Sequence, residues 1–220
     1  MTRLYRFPKA AEFGRGIPKV KIYDHASPGK RVKEFFVRQV EKITWSYKLS
    51  PATINLSAND GVEEIQVLTI DLKTDELSLE VLRAIDKAIP SPILFELHHG
   101  ERTRHSACYK RPSEADHSKW VISEYFQSFW LPRDAPRVDL PVALDMEALY
   151  RTILTSLSPI PLRDHESLDH LVSRIESLRS KEREAANLKN RIGREKQFNR
   201  QVDLNRDLNR LKTEIEELSI

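Results

Sequence analysis

Two stripes of apolar residues at helical spacing dominate the C-terminal part of the chain. Their members recur every three or four residues, a spacing that places side chains on one face of a helix. The stripes predict a long helical coiled-coil tail over residues 161–220. The first stripe contains Leu168, Leu171, Ile175 and Leu178, and the second contains Leu204, Leu208, Leu211, Ile215 and Leu218.

A polar stretch, residues 189–200, separates the two stripes and contains Gly193. Glycine costs about 1 kcal/mol relative to alanine inside a helix. The tail therefore either bends back near Gly193, so that the stripes bury each other, or continues as one helix that needs a partner. We expect the nearly continuous helix, and with it a homodimer formed through the tail.

The patterns of residues 28–160 predict one globular domain of the α+β or α/β class. Helical spacing favours helices that begin near Pro28 and Ser78, and a third over residues 144–157. Alternating or continuous apolar runs predict six strands, over residues 43–49, 53–56, 62–73, 93–97, 105–109 and 120–126.

The order strand, helix, strand over residues 62–97 predicts a βαβ unit. Such a unit favours parallel pairing of its two strands through a right-handed crossover. The turn signal Asn59-Asp60-Gly61 leads into the first of these strands. We therefore expect a mixed β-sheet with two or three packed helices.

The first 27 residues are predicted to form a basic, extended arm, because glycines and prolines interrupt regular elements there. At most a short strand over residues 20–23 fits between them. The excess of Lys and Arg continues as far as Lys48, and such a surface attracts phosphate backbones or an acidic protein partner. The candidates for phosphate contact are Lys19, Lys21, Arg31 and Lys48.

Trp45 and Tyr47 share one face of a predicted strand, and Lys48 on the same strand points to the other face. Aromatic side chains on a basic sheet can stack on nucleobases. Large aromatics in strands are more often core residues, and we favour that interpretation.

The cysteine content and the lack of long apolar runs predict the cellular compartment. Cys108 is the only cysteine, so that neither an intramolecular disulfide nor a paired-thiol zinc site can form, and a reducing cytoplasm is expected. The chain has neither a signal-peptide pattern nor an apolar run of about eighteen residues, and we expect no membrane association.

Three stretches together resemble domain-of-unknown-function family 4391, a family of bacterial proteins. They are Ile17-Pro18-Lys19, the run from Ile43 to Leu49 with Asn55-Leu56 downstream, and the tail from Arg194 to Asn205; Ile89-Pro90-Ser91-Pro92 fits as well. The resemblance covers nearly the whole chain and brings no assigned activity. It implies that the gene lies near genes for helicases and DNA methyltransferases in phage-defence and restriction islands.

Asp71 and Lys73 carry the enzyme hypothesis. Restriction-type nucleases place an acid and a lysine two residues apart at a strand edge, where the acid ligates Mg²⁺ and the lysine assists the attacking water. A second carboxylate is required, and residues 43–57 contain none. Glu41 is the nearest substitute, so a divergent Mg²⁺-dependent nuclease is the alternative and not the leading hypothesis.

Histidines cluster in sequence around Cys108 without a familiar metal-binding spacing. His98 and His99 are neighbours on a strand and point to opposite faces, so they do not share one metal ion easily. We expect no metal site, surface-loop positions for the histidines, and a small core residue at Cys108. The set comprises His98, His99, His105, Cys108 and His117.

The function favoured by these observations is a non-enzymatic accessory or interaction protein. It would bind DNA through its basic end, act with a protein partner such as a helicase or methyltransferase in antiviral defence, and assemble through its tail. No cofactor is expected, except Mg²⁺ under the nuclease alternative.

Overall fold

The computed structural model describes residues 3–59, 61–113 and 120–220, which divide into two compact units, Met1–Ser158 and Pro159–Ile220. The turn predicted at Asn59-Asp60-Gly61 is described except for Asp60. His117 also lies outside the described residues.

Nine β-strands in the described part of the first unit form one sheet and one small ribbon. They are β1 (Leu4–Arg6), β2 (Glu12–Gly16), β3 (Val40–Leu49), β4 (Ile65–Leu72), β5 (Ile93–His99), β6 (Arg102–Pro112), β7 (Trp120–Gln127), β8 (Leu131–Pro132) and β9 (Arg137–Asp139). The sheet runs in the order β2-β3-β4-β5-β6-β7, with β8 beside β6, and β1 pairs with β9 as a separate parallel ribbon. Every pair in the sheet except β4 with β5 is antiparallel.

Five α-helices accompany these strands, namely α1 (Lys19–Ala26), α2 (Lys30–Gln39), the single turn α3 (Pro51–Ile54), α4 (Leu79–Ala88) and α5 (Met146–Leu157). The predicted βαβ unit is confirmed, because α4 connects β4 to β5 and these two strands pair in parallel. Ser78 caps α4 as expected, since its hydroxyl accepts a hydrogen bond from the Glu80 amide.

One face of the sheet is apolar and is covered by α1, α2 and α4. Alternate residues of neighbouring strands, among them Ile70 on β4 and Leu97 on β5, pack with Phe36 of α2 and Ile85 of α4 in a single buried cluster. Burial of this apolar area drives the folding of the unit. On the opposite face of the same strands, buried apolar residues such as Val67 and Leu94 lie next to polar side chains.

The expectation of an extended arm is wrong for residues 19–26, which form α1 and not a short strand. Ile22, Tyr23 and Ala26 pack against the core while Val20 is exposed, a helical spacing that the short apolar run concealed. Pro18 lies directly before the first helical residue, where its missing N–H is not needed.

The strand predicted over residues 53–56 is also wrong, because the chain forms the helical turn α3 there. Ser50 and Thr53 make a capping box around this turn, and Pro51 occupies its first position. Asn55 then ends it in the left-handed conformation, which asparagine tolerates better than most residues.

The second unit is a helical hairpin and not one continuous helix. Helix α6 (Leu168–Ile192) and helix α7 (Phe198–Ser219) pack side by side, with the chain reversing over residues 193–197. Leu188 on α6 is buried with Leu208 and Leu211 on α7, so part of the second apolar stripe is covered within one chain. In the part of the chain that is described, no helix has the length and apolar content needed to cross a bilayer.

Arg174 fastens the open end of this hairpin. It forms two 2.8 Å hydrogen bonds to the Glu166 carboxylate and also donates to the carbonyls of Leu218 and Pro161. Hydrogen bonding by Arg174 lowers the pKa of Glu166 to about 2.

We predict that Glu166→Gln lowers the free energy of unfolding by about 2 kcal/mol at pH 7, because a charge-assisted pair is lost. The folded-state pKa is depressed, so the stabilisation is complete above the ordinary value of 4.5 and is lost as the pH falls towards about 2. Urea unfolding followed by circular dichroism between pH 7 and pH 2 measures the difference between variant and wild type. A constant difference down to pH 2, or an equal effect of the exposed control Glu184→Gln, contradicts the prediction.

Candidate functional site

A row of polar side chains lies on the sheet face opposite the helices. Thr69 and Asp71 of β4 are in register with Glu96 and His98 of β5, so the four side chains share this face. Between them the strands place Ile70 and Leu97 into the apolar core. Alternation thus places apolar side chains on one face and, at this position of β4 and β5, an ionisable row on the other.

Glu96 is the centre of this polar row and is only 6% exposed. Four hydrogen bonds reach its carboxylate: one from His98 Nε2 at 2.8 Å, one from His105 Nε2 at 3.2 Å and two from Arg137 at 2.8 and 2.9 Å. Burial opposes ionisation of this group, but the bonds from His105, His98 and Arg137 outweigh it and hold the pKa of Glu96 far below its usual range. Glu96 is therefore an ionised carboxylate whose acceptor capacity is filled.

Arg137 reaches this site from the ribbon of β1 and β9. Its guanidinium grips both oxygens of Glu96 and also donates a 2.9 Å hydrogen bond to the carbonyl of Tyr5 on β1. The hydrogen bonds and charge of Glu96 raise the pKa of Arg137. Tyr5 in turn stacks on His105, with ring centroids 5.6 Å apart, and its hydroxyl bonds Ser156 of α5.

His98 is held at one ring nitrogen and unsatisfied at the other. Its Nε2 bonds Glu96, whereas its Nδ1 is buried without a hydrogen-bond partner and lies 3.4 Å from an Asp71 oxygen. The His98 ring therefore lies between two carboxylates, with Nε2 on Glu96 and Nδ1 near Asp71.

A cavity of about 330 Å³ opens over this face. Its walls are partly polar and partly aromatic, since the ribbon supplies one side and strands β2 to β5 supply the floor. It is lined by Tyr5, Arg6, Phe7, Glu12, Gly14, Ser46, Tyr47, Thr69, Glu96, His98 and Arg137. The cavity has the dimensions of a small-ligand site and brings His98 and Arg137 to its surface.

The structure does not unite the residues of the nuclease hypothesis. Asp71 lies beside His98, while the Lys73 ammonium donates a 2.9 Å hydrogen bond to the Val37 carbonyl at the end of α2. Glu41 is exposed, and no ion pair or hydrogen bond of the described residues joins it to Asp71 or Lys73. Among the residues that the structure covers, no group of three or more His, Cys, Asp or Glu side chains is arranged to hold a metal ion.

Three of the four predicted phosphate-binding residues have partners inside the protein. Lys19 donates to the carbonyls of Phe36 and Val40 and so caps the C-terminus of α2. Lys48 is paired with Glu64, and Arg31 is paired with Glu80. Lys21 is exposed.

The histidines were expected in surface loops, and for His98 and His105 this is wrong. Both are buried on strands, at 8% and 0% exposure, and both serve Glu96. The sequence contained one signal for this buried site, namely Glu96 inside the apolar run from Ile93 to Leu97. A carboxylate is tolerated in a buried strand only when it is paired with hydrogen-bond donors. Arg137 carried no such signal, since it lies in a proline-rich connector.

A second buried polar cluster, beneath α4, has a structural role. Lys110 donates to the carbonyls of Asp86, Ile89 and Ser91 and thereby caps the C-terminus of that helix. The Asp86 carboxylate accepts hydrogen bonds from Tyr125 and Cys108, and burial raises the pKa of the Cys108 thiol. Cys108 is a small core residue, as predicted, and not an activated nucleophile.

We predict that Glu96→Gln lowers the free energy of unfolding by about 3 kcal/mol, because the partly buried Arg137 then loses its counter-charge and the two histidines lose an ionised acceptor. Urea unfolding followed by tryptophan fluorescence measures this effect. Glu101→Gln, an exposed change in the turn after β5, is the matched control and is expected to stay within about 0.5 kcal/mol of wild type. Equal effects of the two substitutions contradict the central position of Glu96.

Comparison with known proteins identifies the chain at the level of a family only. A family model described as a domain of unknown function, DUF4391, matches residues 6–215 and so covers nearly the whole chain. No curated protein and no solved structure gives a significant match.

Proposed function

We propose that this chain, which belongs to the DUF4391 family, is a nucleic-acid-binding accessory protein that acts with DNA-processing machinery. One observation carries the proposal. The first 48 residues contain twelve Lys and Arg against four Asp and Glu, a net charge of +8 in a chain whose total is +3. The remaining 172 residues therefore carry −5, so the positive charge is concentrated at one end.

Four of these twelve cations have partners inside the protein, and the other eight are available to bind phosphate. Lys19, Arg31 and Lys48 have the partners described above, and Arg6 lies 3.5 Å from Asp139. The other eight are exposed, and none is joined to a carboxylate by an ion pair within the described residues: Arg3, Lys9, Arg15, Lys21, Lys30, Lys33, Arg38 and Lys42. Exposed, unpaired cations release condensed counterions when they meet a phosphate backbone.

A helicase or a DNA methyltransferase is the protein partner that the family resemblance implies. A phosphate-binding surface without base-reading specificity suits such a role, because the partner enzyme then supplies the sequence or lesion preference. The expected cellular setting is antiviral defence of the restriction type.

We predict salt-sensitive binding of the purified chain to a fluorescein-labelled 20-base-pair duplex, measured by fluorescence anisotropy between 50 and 200 mM salt. Replacing two exposed cations of α2, Lys30→Gln and Arg38→Gln, is expected to reduce the slope of log K against log salt by about two, since each phosphate contact contributes about 0.9. The matched control is Lys87→Gln with Arg133→Gln, two exposed cations outside the basic segment. If the chain shows no salt-sensitive binding to DNA or RNA, the proposed nucleic-acid-binding function is wrong.

A second candidate function, hydrolysis of a phosphodiester, is favoured by the 3.4 Å contact between His98 Nδ1 and the Asp71 carboxylate. Glu96 fixes the ring through Nε2, and the partly exposed Asp71 carboxylate, backed by His98, would take the proton of an attacking water or hydroxyl. This version of the enzyme hypothesis keeps Asp71 and replaces Lys73 and Glu41 by His98 and Glu96.

Incubation of the chain with single-stranded DNA, duplex DNA and RNA, with and without Mg²⁺ or Mn²⁺, tests this second candidate. If the chain cleaves any of them, His98→Gln is expected to reduce the rate at least about 100-fold, because the general base Asp71 then loses the ring that backs it. His99→Gln is the matched control, because this neighbour points to the other face of β5. Binding without cleavage leaves the accessory role in place and eliminates the hydrolase.

A further inference from the structure

We infer that the tip of the helical hairpin, residues 189–200, is a binding surface for single-stranded nucleic acid. The inference rests on the proposed nucleic-acid-binding function and extends it to the second unit, which that proposal does not use. It is carried by the coincidence of unpaired positive charge and an exposed aromatic ring on a fixed turn.

The turn between α6 and α7 is held by specific hydrogen bonds. The Gly193 amide donates to the Lys189 carbonyl, and the Glu195 amide donates to the Arg191 carbonyl at 3.0 Å. From the start of α7, the Gln201 side-chain amide returns to the Glu195 carbonyl at 3.0 Å. The side chains that project from this turn therefore start from a defined backbone.

Five cations and one acid occupy the hairpin tip, which gives it a net charge of +4 over twelve residues. All five cations are exposed, and within the described residues none of them forms an ion pair. The rest of the hairpin differs, because there cations are matched with acids, as in Arg206 with Asp203 and Lys181 with Glu214. The cations of the tip are Lys189, Arg191, Arg194, Lys196 and Arg200.

Glu195, the single acid of the tip, is turned towards the backbone. Its Oε1 accepts 2.9 Å hydrogen bonds from the amides of Lys196 and Gln197. Hydrogen bonding from Gln197 and Lys196, with the nearby charges of Arg200 and Arg191, lowers the pKa of Glu195. The acid thus orders the turn and leaves the tip strongly positive.

Phe198 stands among these cations with 76% of its surface exposed. An exposed phenyl ring costs solvation free energy unless a partner covers it, and Val202, one turn further along α7, is the neighbouring exposed apolar residue. One ring and one valine make too small an apolar patch for a stable protein interface. A nucleobase fits both features, because its face stacks on an aromatic ring while the adjoining phosphates meet Lys and Arg.

Fluorescence anisotropy of the full chain with labelled 20-nucleotide oligo-dT tests the inference. Substituting Arg194→Gln, Lys196→Gln and Arg200→Gln together is expected to reduce the slope of log K against log salt by about two, at about 0.7 per phosphate on a single strand. Phe198→Ala is expected to weaken oligo-dT binding about tenfold through loss of stacking, and to weaken duplex binding less.

The control replaces three cations of α7 outside the tip, Arg206→Gln, Arg210→Gln and Lys212→Gln, and removes the same number of positive charges from the hairpin. Circular dichroism verifies that each variant keeps its helical content. If the control lowers affinity as much as the tip variant, binding follows net charge alone and the inference is overturned. Wild-type binding by both tip variants overturns it while the basic first segment remains the binding surface, and failure of the wild-type chain to bind any nucleic acid overturns both proposals.

Discussion

The carboxylate of Glu96 is a buried negative charge in the middle of a β-sheet, and the first unit is arranged so that this charge is satisfied. An ionised carboxyl group in an apolar interior is unstable unless hydrogen-bond donors and a counter-charge surround it. Arg137 supplies both, and two histidines fill the remaining lone pairs. Because Arg137 comes from β9 and also holds β1, one ion pair couples the central strand to the ribbon that closes the cavity.

Near Glu96, one face of the sheet packs against the helices and the other face carries the ionisable side chains. Ile70 and Leu97 anchor the helical side, and Asp71 and His98, their immediate neighbours in sequence, stand on the cavity side. Near Glu96, substitutions on the helical side thus act mainly on packing, and substitutions in the polar row act mainly on the ionic network. The same separation holds in the hairpin, where Leu208 and Leu211 are buried while Phe198 is exposed.

Sequence patterns predicted the elements whose signals are local and missed those that depend on distant partners. The βαβ unit followed from apolar runs around the Ser78 cap, and the two apolar stripes of the tail correspond to α6 and α7. The reversal near Gly193 was the disfavoured alternative, because periodicity alone does not say whether a stripe is covered by the same chain or by another. Helix α1 was missed because the glycines and prolines before it masked its short repeat.

The candidate site was predictable only in part for the same reason. Asp71 was singled out from its position at a strand end, but its neighbour His98 follows from the parallel register of β4 and β5 and not from any motif. Arg137 stands 41 residues from Glu96 in sequence, within a connector that has no periodicity at all. Lys19 was predicted to contact phosphate and Lys73 to assist an attacking water, whereas both donate to carbonyls near the end of α2.

The ribbon of β1 and β9 has a consequence for the order in which the protein is made. Residues 4–6 leave the ribosome long before their partners, residues 137–139, so this contact spans most of the unit and forms only after its strands have emerged. Because Arg137 lies on β9, the ion pair of Glu96 also forms only after β9 has been synthesised. The strand β1 and the buried carboxylate therefore wait for the same segment of the chain.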